Sequence, residues 1–113
     1  MKAMQLTRLE LDILKSVAKV HDPNLAAQIP YLTVKIRENT GAGRFVYLAG
    51  LPDAPKCMTD GIFGGGEDLI ECEDVKYGLG FTVTIEFGLA QMIEIATYGN
   101  VPWDGNEEKC LIR

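Results

Sequence analysis

Pro30 divides this chain into two periodicities. Ahead of it, apolar residues recur every third or fourth position; beyond it, the clear segments alternate apolar and polar residues. A helical pattern that gives way to a period of two limits the fold to helix laid on sheet. Thr7-Arg8-Leu9-Glu10 has the form of a capping box, and Leu6 and Leu11 stand at the two positions of a hydrophobic staple. On a helical wheel Leu9, Ile13, Val17 and Val20 share one arc, which Leu11, Leu14 and Ala18 extend. Arg8, Asp12, Lys15, Ser16 and Lys19 fall opposite. The spacing predicts an amphipathic helix over 8–20. His21-Asp22-Pro23 ends it, and Asp22 then caps a second short helix over 24–28, with Pro23 at its first position.

Val34 and Ile36 alternate with charged residues in 33–38, which predicts a half-buried strand with Lys35 and Arg37 on its outer face. Residues 39–43 supply turn chemistry and 44–49 a second strand, so 33–49 reads as a hairpin. Residues 50–68 hold Pro52, Pro55, Gly61 and Gly64-Gly65-Gly66, the composition of a long surface loop. Loops of that length are uncommon unless functional, which makes it the first place to look for a site. An acidic strand follows over 69–77, with Ile70 and Cys72 inward. The cleanest strand is 81–87, with Phe81, Val83, Ile85 and Phe87 inward. Residues 92–98 mix helix-face spacing (Leu89, Met92, Ile93, Ala96) with β-branched residues and lack an N-cap, so a strand paired with 81–87 is the favoured reading. From Val101 the tail is irregular, with Trp103 expected to tuck against the sheet. The expected architecture is a single α+β domain over 1–113, an antiparallel sheet of four to five strands with the N-terminal amphipathic helix packed on one face.

Charge narrows the partners. The net charge of −5 sits entirely in 52–77, where seven acids face only Lys56 and Lys76. Such a surface repels phosphate, so nucleic acid is not an expected partner. No apolar run is long enough to cross a membrane as a helix, and charges interrupt the first fifteen residues where a signal peptide needs an apolar core. A cytoplasmic location without a membrane partner is the expectation. The three cysteines, Cys57, Cys72 and Cys110, are odd in number and widely spaced, which predicts reduced thiols.

Catalytic constellations are sparse. With one serine (Ser16) and one histidine (His21), a serine triad has no material. A zinc site would need His21 and all three cysteines to converge without any local pair spacing, so neither metal nor cofactor is expected. Gly61–Gly66 lacks the Lys-Ser/Thr of a nucleotide loop and precedes acids, and Gly41-Ala42-Gly43 stands between two strands. Cys57 beside Lys56 is the one conceivable nucleophile. His21, at the end of a helix, reads as a cation at the negative end of the helix dipole.

The acidic stretch is the leading feature. Glu67, Asp68, Glu71, Glu73 and Asp74 read as a partner-binding surface for a basic protein; the competing reading is a solvated face, or one paired with Lys35, Arg37 and Arg44 of the hairpin. The leading expectation is therefore a non-enzymatic interaction protein that presents 52–77. The rival is a small enzyme or ligand-binding protein whose pocket lies between the sheet and the 50–68 loop, lined by Tyr47, Phe63, Tyr77 and carboxylates. Arg37-Glu38-Asn39-Thr40-Gly41-Ala42-Gly43 before an aromatic strand, with Tyr98-Gly99-Asn100-Val101-Pro102-Trp103 later, resembles small uncharacterised bacterial proteins. The resemblance implies the helix-plus-sheet layout and a strand over 92–98, and it implies no function.

Overall fold

The structure, a computed structural model, describes residues 4–113. Helix α1 spans Arg8–Val20, the expected range. Its capping box is formed: the Glu10 amide donates to Thr7 Oγ1 at 3.2 Å, and the Thr7 amide donates to Glu10 Oε1 at 2.9 Å. Helix α2 spans Pro23–Ala27, with the Asp22 carboxylate capping the Asn24 amide. Among the described residues no helix is long and apolar enough to cross a membrane.

Seven antiparallel strands make one sheet: β1 Leu32–Asn39, β2 Gly43–Gly50, β3 Gly61–Gly64, β4 Ile70–Cys72, β5 Val75–Glu86, β6 Leu89–Thr97 and β7 Cys110–Ile112. Their order is β1-β2-β6-β5-β4-β7, and β3 lies along the second half of β5, beyond β4. The hairpin β1–β2 and the pairing of 89–97 with β5 are as expected. The α+β expectation holds, with a larger sheet than the four to five strands anticipated. The additions are short. β3 falls within the presumed loop 50–68, and β7 ends the presumed irregular tail. The acidic strand over 69–77 is two strands, because Glu73 and Asp74 form the turn between β4 and β5. Elements of three or four residues are too short to show a period, and their pairing comes from β5 and β4 rather than from their own composition.

The core lies between α1 and one face of the sheet. Ile13, Leu14 and Val17 meet Val46, Leu48, Leu79, Val83, Ile85, Ile93 and Ile95, all buried. Each such side chain contributes about 1.5–3 kcal/mol on burial. Gly65 lets the glycine loop approach this layer: a Cβ there would lie 2.4 Å from Ser16 Oγ and 2.6 Å from the Phe81 ring. Trp103 is buried as expected, under the Arg44 guanidinium at 5.1 Å.

Three further expectations are corrected. A bulge between Val34 and Ile36 reverses the rest of β1, so Ile36 points outward and Arg37 inward. Arg37 there grips the buried Glu10 through two 2.7 Å hydrogen bonds. Phe87 is not a core residue; it sits in the β5–β6 turn at φ +56° and is 82% exposed. Cys72 and Cys110 are not free thiols. They are directly opposite on β4 and β7 and form a disulfide. The two are 38 positions apart, and only the placement of β7 beside β4 brings them together.

Candidate functional site

The helices and the buried Trp103 cover one face of the sheet; no other described element covers the opposite, open face. Register and pleat place a row of side chains across five strands of the open face. Ile36 pairs with Tyr47, Tyr47 with Met92, Met92 with Thr84 and Thr84 with Ile62. Inward neighbours such as Val46, Ile93 and Val83 are fully buried, whereas Ile36 and Ile62 at the ends of the row are 51% and 68% exposed. A second row runs beside it: Glu38, Phe45, Glu94, Thr82 and Gly64. Phe45 and Tyr47 have ring centroids 6.4 Å apart, so the two rows touch. The result is an apolar band bordered by carboxylates. Desolvation, and next the Glu38 carboxylate beside it, hold the Tyr47 phenol above its ordinary value of 10.0.

Between the central strands β5 and β6, where β6 runs out at Tyr98, this face dips into a shallow hollow of about 280 Å³, lined by Gly80, Thr82, Glu94, Ala96 and Tyr98. Its floor is small because the Tyr98 hydroxyl lies over Gly80, where a Cβ would come within 2.5 Å of it.

The acids expected to face a partner have nearer uses. Asp68 accepts a 2.6 Å hydrogen bond from Ser16 Oγ and lies 3.5 Å from Lys19 Nζ. The Ser16 hydroxyl, ahead of Lys19, holds its carboxyl below the ordinary 3.8. Glu71 pairs with Arg113 at 3.2 Å, and Lys109 stands 3.7 Å from Glu73 and 3.9 Å from Asp74. Glu67 is exposed in the loop ahead of β4. The bases that neutralise the acids are thus α1 and tail residues. Of the hairpin bases, Arg37 binds Glu10, Arg44 binds Glu107, Asn39 and the Gly105 carbonyl, and Lys35 is exposed on β1.

The three aromatic residues expected to line a pocket are not brought together. Tyr47 lies on the open face of β2, whereas Phe63 lies on the inner face of β3, stacked on His21 at 3.6 Å. Tyr77 stands apart, near the start of β5 beside Gly99. The His21 ring is held by that stack, and its Nε2 is buried without a hydrogen-bond partner among the described residues. Cys57 is buried beside Gln28, and burial, then Asp22 and Asp60, push its thiol up to about 11. Lys56, expected to activate it, donates instead to the Pro52 and Ala54 carbonyls. No group of three His, Cys, Asp or Glu is placed to hold a metal ion among the described residues.

The residues of the open face other than Tyr47 were outside the sequence-based candidates. A signal for part of it exists in Arg44-Phe45-Val46-Tyr47-Leu48, where both parities are apolar, so neither face of β2 is built for water alone. The outward turn of Ile36 had no signal, because the bulge that causes it carries neither glycine nor proline. No protein-family profile, curated protein sequence or solved structure matches the chain.

Proposed function

We propose that this chain is a non-enzymatic interaction protein whose acidic binding surface is the open face of its sheet. The observation that carries the reading is the five-strand row Ile36, Tyr47, Met92, Thr84 and Ile62, apolar but for one threonine and bordered by Glu38 and Glu94. An apolar band rimmed by charge is the usual make-up of a protein-binding patch, and its charge selects the partner. The acids of 67–74 are a poorer surface for that purpose, since Lys19, Lys109 and Arg113 already neutralise most of them. The partner that fits is a basic amphipathic segment, its apolar side on the band and its cations toward Glu38 and Glu94.

Titration with a synthetic eighteen-residue leucine–lysine peptide of helical spacing, followed by amide chemical shifts, tests this. Shifts should centre on Ile36, Tyr47, Thr84 and Met92 and weaken with salt. Shifts confined to 67–74, or none at all, would reject the open face as the binding surface.

A further inference from the structure

Glu94 sits in the middle of the sheet, on β6 with β2 on one side and β5 on the other, between Phe45 and Thr82. The Glu94 side chain is half-buried against these neighbours. It gains no counter-charge in return: every ion pair among the described residues lies elsewhere. Glu38, Glu71, Glu73 and Asp74 stand at sheet edges or turns, where water solvates them; Glu94 alone is central. The hollow opens directly beside it. Gly80 and Ala96 form a floor without bulk, Thr82 offers a hydroxyl, and Tyr98 leans over the floor as an aromatic wall. The volume is below that of pockets built for drug-sized ligands and suits the end of one long side chain.

We infer that this hollow receives a single basic side chain of the docking partner, with Glu94 as its counter-charge and the Tyr98 ring as its cation–π wall. The inference rests on the open face being the docking surface, and it adds where on that face the partner is anchored and by what chemistry. Arginine fits better than lysine, because a planar guanidinium stacks on a ring while its edge donates to a carboxylate.

The test separates the anchor from the surface. N-acetyl-arginine amide is titrated into the full chain and read by the amide shifts of Gly80, Thr82, Glu94 and Ala96, with the neutral citrulline amide as control. Saturable shifts at those residues are expected with arginine and not with citrulline. Glu94→Gln, which keeps side-chain shape, should weaken the arginine amide at least about tenfold, equivalent to about 1.4 kcal/mol; Tyr98→Leu should weaken it less. Equal binding of citrulline, binding unchanged in Glu94→Gln with an otherwise unaltered spectrum, or no saturable shift would overturn the inference. The leucine–lysine peptide then discriminates. If it still maps to the Ile36–Ile62 band while arginine amide fails, the surface stands and the anchor falls. If arginine amide binds but the peptide finds no site on the face, the hollow is a small-cation site and the docking reading fails with the inference as stated.

Discussion

Cys57 shows how a neighbour in sequence misleads about chemistry. Lys56 precedes it, yet the Lys56 ammonium is turned onto the Pro52 and Ala54 carbonyls, and the thiol faces Gln28 and two carboxylates. With a value pushed up to about 11, roughly one thiol in ten thousand is ionised at neutral pH. Native protein should therefore resist maleimide at pH 7 and react stoichiometrically once unfolded in urea; fast native labelling would show the loop open. Asp68 carries the opposite perturbation. Its carboxyl is held below 3.8 in the folded chain by Ser16 and then Lys19, so the unfolded state binds the proton first as pH falls. The stabilisation is complete above the ordinary carboxylate value and is lost as pH drops through the lower, folded one. Ser16→Ala should cost stability at pH 7 and cost nothing at pH values below the folded range. Urea midpoints measured across pH would show the two curves converging in acid, and a constant gap would mean that Ser16 acts by packing alone.

At the scale of elements, what was legible is what is local. Thr7, Glu10 and the wheel of apolar residues define α1 without help from the rest of the chain, and its observed ends agree with the pattern. The alternation of Phe81, Val83 and Ile85 likewise placed the centre of β5. What stayed hidden depends on partners distant in sequence: β3 exists because β5 offers it an edge, and β7 because β4 does. The disulfide belongs to the second kind. It closes a loop of sequence separation 38, and the entropy removed from the unfolded chain makes such a crosslink worth about 4 kcal/mol. Reduction, or Cys110→Ser, should lower unfolding free energy by about that amount and free β7 first, seen as loss of hydrogen-exchange protection at Leu69 and Arg113, whose amides bond each other's carbonyls. The β5–β6 turn makes a separate point. Phe87 and Gly88 both have positive φ, a turn that favours Asn-Gly, and Phe87 contributes little burial there. Phe87→Asn should raise stability by about 1 kcal/mol; a loss instead would mean that the ring packs in a way its exposure does not reveal.

For the whole molecule, the question is which carboxylates serve the fold and which serve a partner, and stability and binding separate them. Glu71 and Arg113 are an exposed pair, and so are Glu73 and Lys109, so each is worth roughly 0.2–1 kcal/mol. Glu71→Gln with Glu73→Gln should therefore destabilise modestly and leave the binding of a basic peptide nearly unchanged, since Arg113 and Lys109 already screen those positions. Glu38 and Glu94 flank Phe45 on the open face, and neither is ion-paired among the described residues. Replacing both with Gln breaks no ion pair among the described residues and leaves an amide oxygen at 38 to accept from the Tyr47 phenol, so stability should hold or rise. The same change should weaken the leucine–lysine peptide and flatten the salt dependence of its binding, because the lost interactions are the screened ones. The two double variants are thus told apart on both axes: the first loses stability and keeps binding, the second keeps stability and loses binding. If the Glu71/Glu73 variant loses binding while the Glu38/Glu94 variant retains it, the acidic turn is the partner surface after all, and the open face is merely uncovered.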